Sequence, residues 1–251
     1  MRKSGNVKIL LGVALLYIGL LMASPAVSQE KAVPADPFSQ CVAALGAGNY
    51  AQAIEHFNEA LKRNPDLVEA YINRGIAHLK LGQDVDAVTD FDRALELNPQ
   101  APEAYYNRAL AYNRGGLFDK AQEDYTQALK YQQKDWQIYY NRGNNFLDAG
   151  KAREALKDYE QALKLKPETP EILQNRGLAY LHLGQADKAL EDFQAALALN
   201  PNFARAYFGK GQALEKLGRK GEAQEAFRRF LKIGNPETDA ALLQQALERL
   251  K

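Results

Sequence analysis

The chain has 251 residues, 46% of them apolar and 25% charged, with a formal net charge of +1. That balance belongs to a folded protein and excludes both a disordered polyelectrolyte and a basic surface built for nucleic acid. Cys41 is the only cysteine, so no intramolecular disulfide can hold the fold and packing has to do so.

Residues 1–28 stand apart from the rest of the chain. Arg2, Lys3 and Lys8 precede an apolar run from Ile9 to Met22, and small residues with a proline come next, Ala23-Ser24-Pro25-Ala26-Val27-Ser28. This is the layout of a secretory signal with cleavage before Gln29. An uncleaved membrane anchor with its basic end inside is the other reading. The run is short for a committed span, and the small-residue exit favours cleavage. Export to a bacterial periplasm is therefore expected, with membrane attachment only if the segment is kept. Cleavage would remove three basic and no acidic residues, leaving a charge of about −2. Residues 29–33 read as a linker.

From residue 34 the chain repeats itself every 34 residues, six times, without insertion or deletion. The repeats are 34–67, 68–101, 102–135, 136–169, 170–203 and 204–237. Alanine recurs at Ala53, Ala87, Ala121, Ala155, Ala189 and Ala223, and a ring follows at Phe57, Phe91, Tyr125, Tyr159, Phe193 and Phe227. Glycine keeps phase at Gly48, Gly82, Gly116, Gly150, Gly184 and Gly218, and proline closes most repeats. A fixed period of this size marks a solenoid, whose repeats bury their apolar faces only by stacking on one another. Function is then expected on an extended surface instead of in one pocket.

Within a repeat the pattern predicts helix, turn, helix. From Val68 to Leu81, Tyr71, Gly75, His78 and Leu79 recur at helical spacing, and Gly82 ends the helix. A second helix runs from about Val85 to Leu97, with Ala87, Phe91 and Ala94 on one face and Asn98-Pro99 as its stop. Cys41 shares the register of Gly75, Ala109, Gly143, Gly177 and Gly211, which makes it a small packed thiol. The third repeat has Gln133 where others carry the closing proline, so a looser turn is expected there. Residues 238–251 predict a capping helix, with Leu243, Leu247 and Leu250 on one face and Phe230 against it.

The order of aromatic, glycine, aromatic, glycine, alanine, aromatic, alanine and proline, clearest in Tyr139, Gly143, Phe146, Gly150, Ala155, Tyr159, Ala162 and Pro167, resembles the tetratricopeptide repeat. The resemblance implies an all-α, right-handed α-solenoid of six helix-turn-helix repeats with a C-terminal capping helix. It says little about function, because the family serves as a binding scaffold in unrelated settings.

Four repeats carry an arginine in the first helix, at Arg74, Arg108, Arg142 and Arg176, and each has an aspartate sixteen residues later, at Asp90, Asp124, Asp158 and Asp192. The first and last repeats lack both members. Their joint presence predicts an Arg–Asp bridge across each hairpin, which assigns these arginines to register and not to ligand binding.

The asparagine before each arginine has no such partner in the pattern. The resemblance puts Asn73, Asn107, Asn141 and Asn175 on the inner wall formed by the first helices, where a ladder of amides can hold a peptide backbone. Tyr106 and Tyr140 join that wall, and Asn144 lies one turn on. An alternative is that each asparagine bonds only to the adjacent helix and shapes the solenoid. Compared with the carboxylate clamp of some family members, Asn144 and Asn175 match the clamp asparagines and Arg205 one basic place, while Tyr140 and Gly209 fill two cationic places.

Catalytic parts are not evident. His56, His78 and His182 lie in different repeats without metal-ligand spacing, and no phosphate loop or serine elbow is present. No cofactor is expected. The expected function is a non-catalytic scaffold that binds a protein or extended peptide, in envelope assembly or protein handling. A self-associating structural solenoid and a glycan-binding module remain as alternatives.

Overall fold

The computed structural model describes the backbone of residues 37–251 and the side chains from residue 41. The expected signal segment and linker lie outside the described residues. Thirteen α-helices and no strand occur among those residues, and no described helix is long and apolar enough to cross a membrane.

The helices fall into two compact bodies, one ending at Gly116 and the other beginning at Leu117. The first holds α1 (Pro37–Gly46), α2 (Tyr50–Arg63), α3 (Val68–Lys80), α4 (Asp84–Leu97) and α5 (Pro102–Arg114). The second holds α6 (Phe118–Tyr131), α7 (Trp136–Asp148), α8 (Ala152–Leu165), α9 (Pro170–His182), α10 (Ala186–Leu199), α11 (Ala204–Lys216), α12 (Lys220–Ile233) and α13 (Pro236–Glu248). Within each body, helices pair as hairpins, α3 with α4, α7 with α8, α9 with α10 and α11 with α12, and the pairs stack into an all-α solenoid.

Backbone chemistry explains the sharp turn. Gly82 adopts φ +77°, its N–H bonds to the Leu79 carbonyl, and the Gln83 N–H reaches the His78 carbonyl at 2.9 Å. These two bonds close the helix end, and they require a left-handed residue that only glycine supplies without steric cost. In the turn without proline, Asp135, two residues after Gln133, caps α7 by accepting from the Gln137 N–H at 2.9 Å.

The core is a row of rings set against glycines. A Cβ on Gly75 would lie 2.7 Å from Phe91, one on Gly143 2.7 Å from Tyr159, and one on Gly177 2.8 Å from Phe193. The rings themselves are fully buried, each contributing about 1.5–3 kcal/mol of transfer free energy. The missing side chains therefore set how closely the two helices of a hairpin approach.

The arginines staple this packing. Arg74 grips Asp90 with two bonds of 2.9 and 2.6 Å, Arg142 grips Asp158 at 2.7 and 2.8 Å, and Arg176 grips Asp192 at 2.8 and 2.6 Å. Arginine also has a reach that the spacing does not suggest. Arg74 donates to Asn58 at 2.5 Å, Arg108 to Asp92 at 2.5 Å and Arg142 to Thr126 at 3.2 Å, all sixteen residues earlier in the preceding hairpin. One guanidinium thus ties three helices, and the flanking rings of Tyr71 or Tyr139 stack on it.

The cap differs from its expected form. It starts at Pro236, two residues earlier than expected, because Asn235 caps it and proline suits the first turn. Leu247 is exposed, and the packed residues are Asp239, Ala246, Leu242, Leu243 and Leu250, with Phe230 buried beneath. Five periods on from Tyr71, Arg74, Gly75 and His78, the places that would meet a further helix hold Ala241, Gln244, Gln245 and Glu248, all exposed. That face is mostly polar, as suits a capping helix.

Candidate functional site

In the carboxy-terminal body α9 adjoins α7 on one side and α11 on the other, so the three first helices form a wall. Two of the expected residues meet directly on it. The Asn175 amide on α9 donates to Asn144 Oδ1 at 2.8 Å and to the Tyr140 hydroxyl at 3.1 Å, both on α7. Asn144 Oδ1 also accepts from the Tyr159 hydroxyl at 2.8 Å. Tyr140 packs its ring 6.2 Å from that of Tyr159 and 6.4 Å from that of Trp136.

The arithmetic of this network leaves something over. Both hydrogens of Asn175 and both lone pairs of Asn144 Oδ1 are spent, while Asn144 Nδ2 and Asn175 Oδ1 make no bond. Turning one amide alone would set two donors or two acceptors face to face; turning both exchanges the roles. In either coupled arrangement one donor and one acceptor remain on a half-buried surface. That is the complement of a peptide unit, which offers one acceptor and one donor.

The other expected residues are placed differently. Tyr106 and Asn107 are 0% exposed and Asn73 is 1% exposed, so none of them presents a surface to a ligand. Asn141, at 5%, is likewise buried. Their amides turn into the helices: Asn107 donates to the Glu103 carbonyl at 2.8 Å and Asn141 to the Gln137 carbonyl at 2.9 Å, one turn back on the same helix. Asn73 buries its whole amide without a hydrogen bond. The expected open ladder of four asparagines is thus corrected to a single surface amide pair. Asn175 differs in having Asn144 and Tyr140 as polar partners on α7.

Arg205 is also corrected. Its Nε donates to Asp239 on α13 at 2.8 Å and its Nη2 to the Thr238 carbonyl at 3.3 Å. Asp239 is buried, so this arginine fastens the cap and is not free for a ligand carboxylate. His78 is a packed residue, bonded through Nδ1 to Gln83 at 2.7 Å, with Nε2 3.8 Å from Asp90.

The wall continues past Asn144. One and two periods on stand Leu178 on α9 and Gln212 on α11, and with Leu181 they line a cleft of about 490 Å³ between these helices. Periodicity alone could have located this cleft, since 144, 178 and 212 share a register.

Stacked helical hairpins whose first helices line up as a wall define a class of interaction module. The family model of the tetratricopeptide repeat matches residues 41–102, 86–130, 106–144, 140–202 and 175–240. The chain belongs to the tetratricopeptide repeat family, whose fold serves protein–protein interaction. Among solved structures it is similar to YrrB, described as a tetratricopeptide repeat protein with an unusual peptide-binding site, at 23% identity, over 76% of this chain and 97% of that one, with a TM-score of 0.64. It is also similar to the C-terminal part of a repeat protein from Cytophaga hutchinsonii, at 20% identity, over 84% and 85% of the two chains, with a TM-score of 0.70. A third similarity is to MamA, at 24% identity, over 69% and 94%, with a TM-score of 0.61. At these identities the likeness establishes the fold alone. No curated protein matches the chain.

Proposed function

We propose that the protein is a non-catalytic adaptor that holds an extended segment of a partner protein on the wall of α7, α9 and α11. The observation that carries this reading is the coupled Asn144–Asn175 pair, which offers one unspent donor and one unspent acceptor beside the Tyr140 ring. A wall of that kind grips backbone irrespective of side-chain identity, and an aromatic neighbour supplies contact area at low entropic cost. The peptide-binding site described for YrrB supports the same use of this fold.

The basic and apolar composition of residues 1–28 supports export, which would set this adaptor in the bacterial envelope, in assembly or protein handling. Self-association by end-to-end stacking is disfavoured at the carboxy-terminal end, where α13 shows Gln244, Gln245 and Glu248 to solvent.

The test is photo-crosslinking in cells from position 140, with exposed Lys157 on α8 as the matched control. A discrete protein captured from position 140 and not from position 157 is the expected result. Equal labelling from both positions, or only self-crosslinks, would remove the peptide-wall reading.

A further inference from the structure

The cleft that continues the wall is charged at its rim. Its floor is Leu178, Leu181 and Gln212, apolar but for one amide. Its rim carries His182 at the end of α9 and Lys216 at the end of α11, one period apart and both exposed. Neither makes an ion pair or hydrogen bond among the described residues. The third rim group, Arg249, pairs with Glu215, which lines the same cleft, and lies over the Phe227 ring with 5.7 Å to its centroid. Glu215 is thereby neutralised, and Lys216 is left as uncompensated positive charge beside a polarisable imidazole.

Geometry orders these features along one line. Asn175 and Leu178 are one turn apart on α9, and Leu181 and His182 come after another turn. A segment whose backbone engages Asn144 and Asn175 runs on over the two leucines and then meets Lys216 and His182. We infer that this cleft selects a carboxylate preceded by an apolar side chain in the bound segment, the apolar group resting on Leu178 and Leu181 and the carboxylate facing Lys216 and His182. The inference rests on the peptide-wall reading above. A cation in the segment is rejected there by like charge, and a purely apolar segment leaves the ammonium of Lys216 unpaired at the edge of the contact. The carboxylate can come from an Asp or Glu side chain or from a chain terminus, since both present the same two acceptor oxygens.

The experiment uses NMR on the isotopically labelled full chain, titrated with four short synthetic peptides built on Gly-Leu-Ala-Leu-X-Gly. With X as Glu, Gln or Lys and both ends blocked, side-chain charge is varied alone. A fourth peptide ends at the second leucine with a free carboxylate. The Glu peptide is expected to shift the amides of Leu178, Leu181, Gln212 and Lys216, and to bind about three- to five-fold more tightly than the Gln peptide, the size of an exposed ion pair. The Lys peptide should bind more weakly than both, and Lys216→Glu should invert the order. Whichever of the Glu and free-carboxylate peptides binds more tightly identifies the source.

Equal affinity for the Glu, Gln and Lys peptides, with shifts at Asn144 and Asn175, would overturn this inference and leave the peptide wall standing. No shift at Asn144, Asn175 or the cleft with any peptide would overturn both. Because Lys216 and His182 are exposed, their substitution leaves folding intact, which a thermal melt of the Lys216→Glu chain verifies.

Discussion

Asn175 on α9 gives both amide hydrogens to α7, one to Asn144 Oδ1 at 2.8 Å and one to the Tyr140 hydroxyl at 3.1 Å, so two adjacent repeats are joined by the residues proposed to bind a ligand. Structure and binding are therefore coupled at this pair. Asn144 itself can be varied, because its register holds Ile76, Leu110 and Leu178 in other repeats. Asn144→Leu is expected to fold, at a cost of about 1–3 kcal/mol for the two bonds lost from Tyr159 and Asn175. It should abolish partner capture from position 140. Urea denaturation and crosslinking yield, measured on the same chain, separate the two effects.

The Arg142–Asp158 bridge makes a sharper stability prediction. Asp158 is 4% exposed, and burial holds its carboxyl above the ordinary value against the two hydrogen bonds from Arg142. Arg142→Leu strips those bonds and leaves a buried charge unpaired, with an expected loss of about 3–5 kcal/mol. The pair Arg142→Leu with Asp158→Leu should recover most of it. The pH dependence has a definite sign. A carboxyl raised in the folded state binds its proton more readily than in the unfolded chain, so ionising it costs stability above the folded value. That cost fades as pH falls towards the ordinary 3.8. In the Arg142→Leu chain the carboxyl rises further, and the defect should be largest at neutral pH and shrink on acidification, as read by urea midpoints across pH.

Glycine substitutions separate steric contact from helix propensity. At Gly143 a Cβ would meet the Tyr159 ring at 2.7 Å, and at Gly209 the Phe193 ring at 2.5 Å. Alanine at either place should cost about 1–3 kcal/mol by overpacking. Gly221, inside α12, has nothing within 4 Å of such a Cβ. Gly221→Ala should stabilise by about 0.5–1 kcal/mol through propensity and a less flexible unfolded chain. Thermal melts of the three variants should bracket the native value from both sides.

At the carboxy-terminal end, Ala246 is 0% exposed against the cluster that includes Phe230 and Phe227. Ala246→Glu would force a carboxylate into that contact and lift α13 from it. The expected outcome is a chain that still folds through its other repeats, since neighbour contacts are local in a solenoid, but binds a hydrophobic dye and self-associates. Unchanged dye binding and a monomeric mass would show that α13 is not the cap.

Cys41 is fully buried in the first hairpin. That hairpin has His56 in the register of the bridging aspartates. Its thiol should be unreactive to a thiol reagent in the native chain, and in mild urea should react before the global transition. Reaction only at the global midpoint would mean that this end is as tightly held as the rest.

The repeat, its helix-turn-helix form and the Arg–Asp staples are legible in the order of the residues alone, because each depends on a spacing fixed inside one hairpin. Gly82, Phe91 and the Arg142–Asp158 pair act within a single repeat, and six copies of one pattern expose a local rule. Relations between repeats are settled only in three dimensions. Whether an asparagine faces solvent depends on its neighbour on the adjoining first helix, and that neighbour is Tyr140 and Asn144 for Asn175 but not for the buried Asn73 or Asn107. The commitment of Arg205 to Asp239, thirty-four residues on, and the first turn of α13 at Pro236 are of the same kind. Periodicity sets which residues share a register, but burial and pairing depend on the particular side chains that stacking brings into contact.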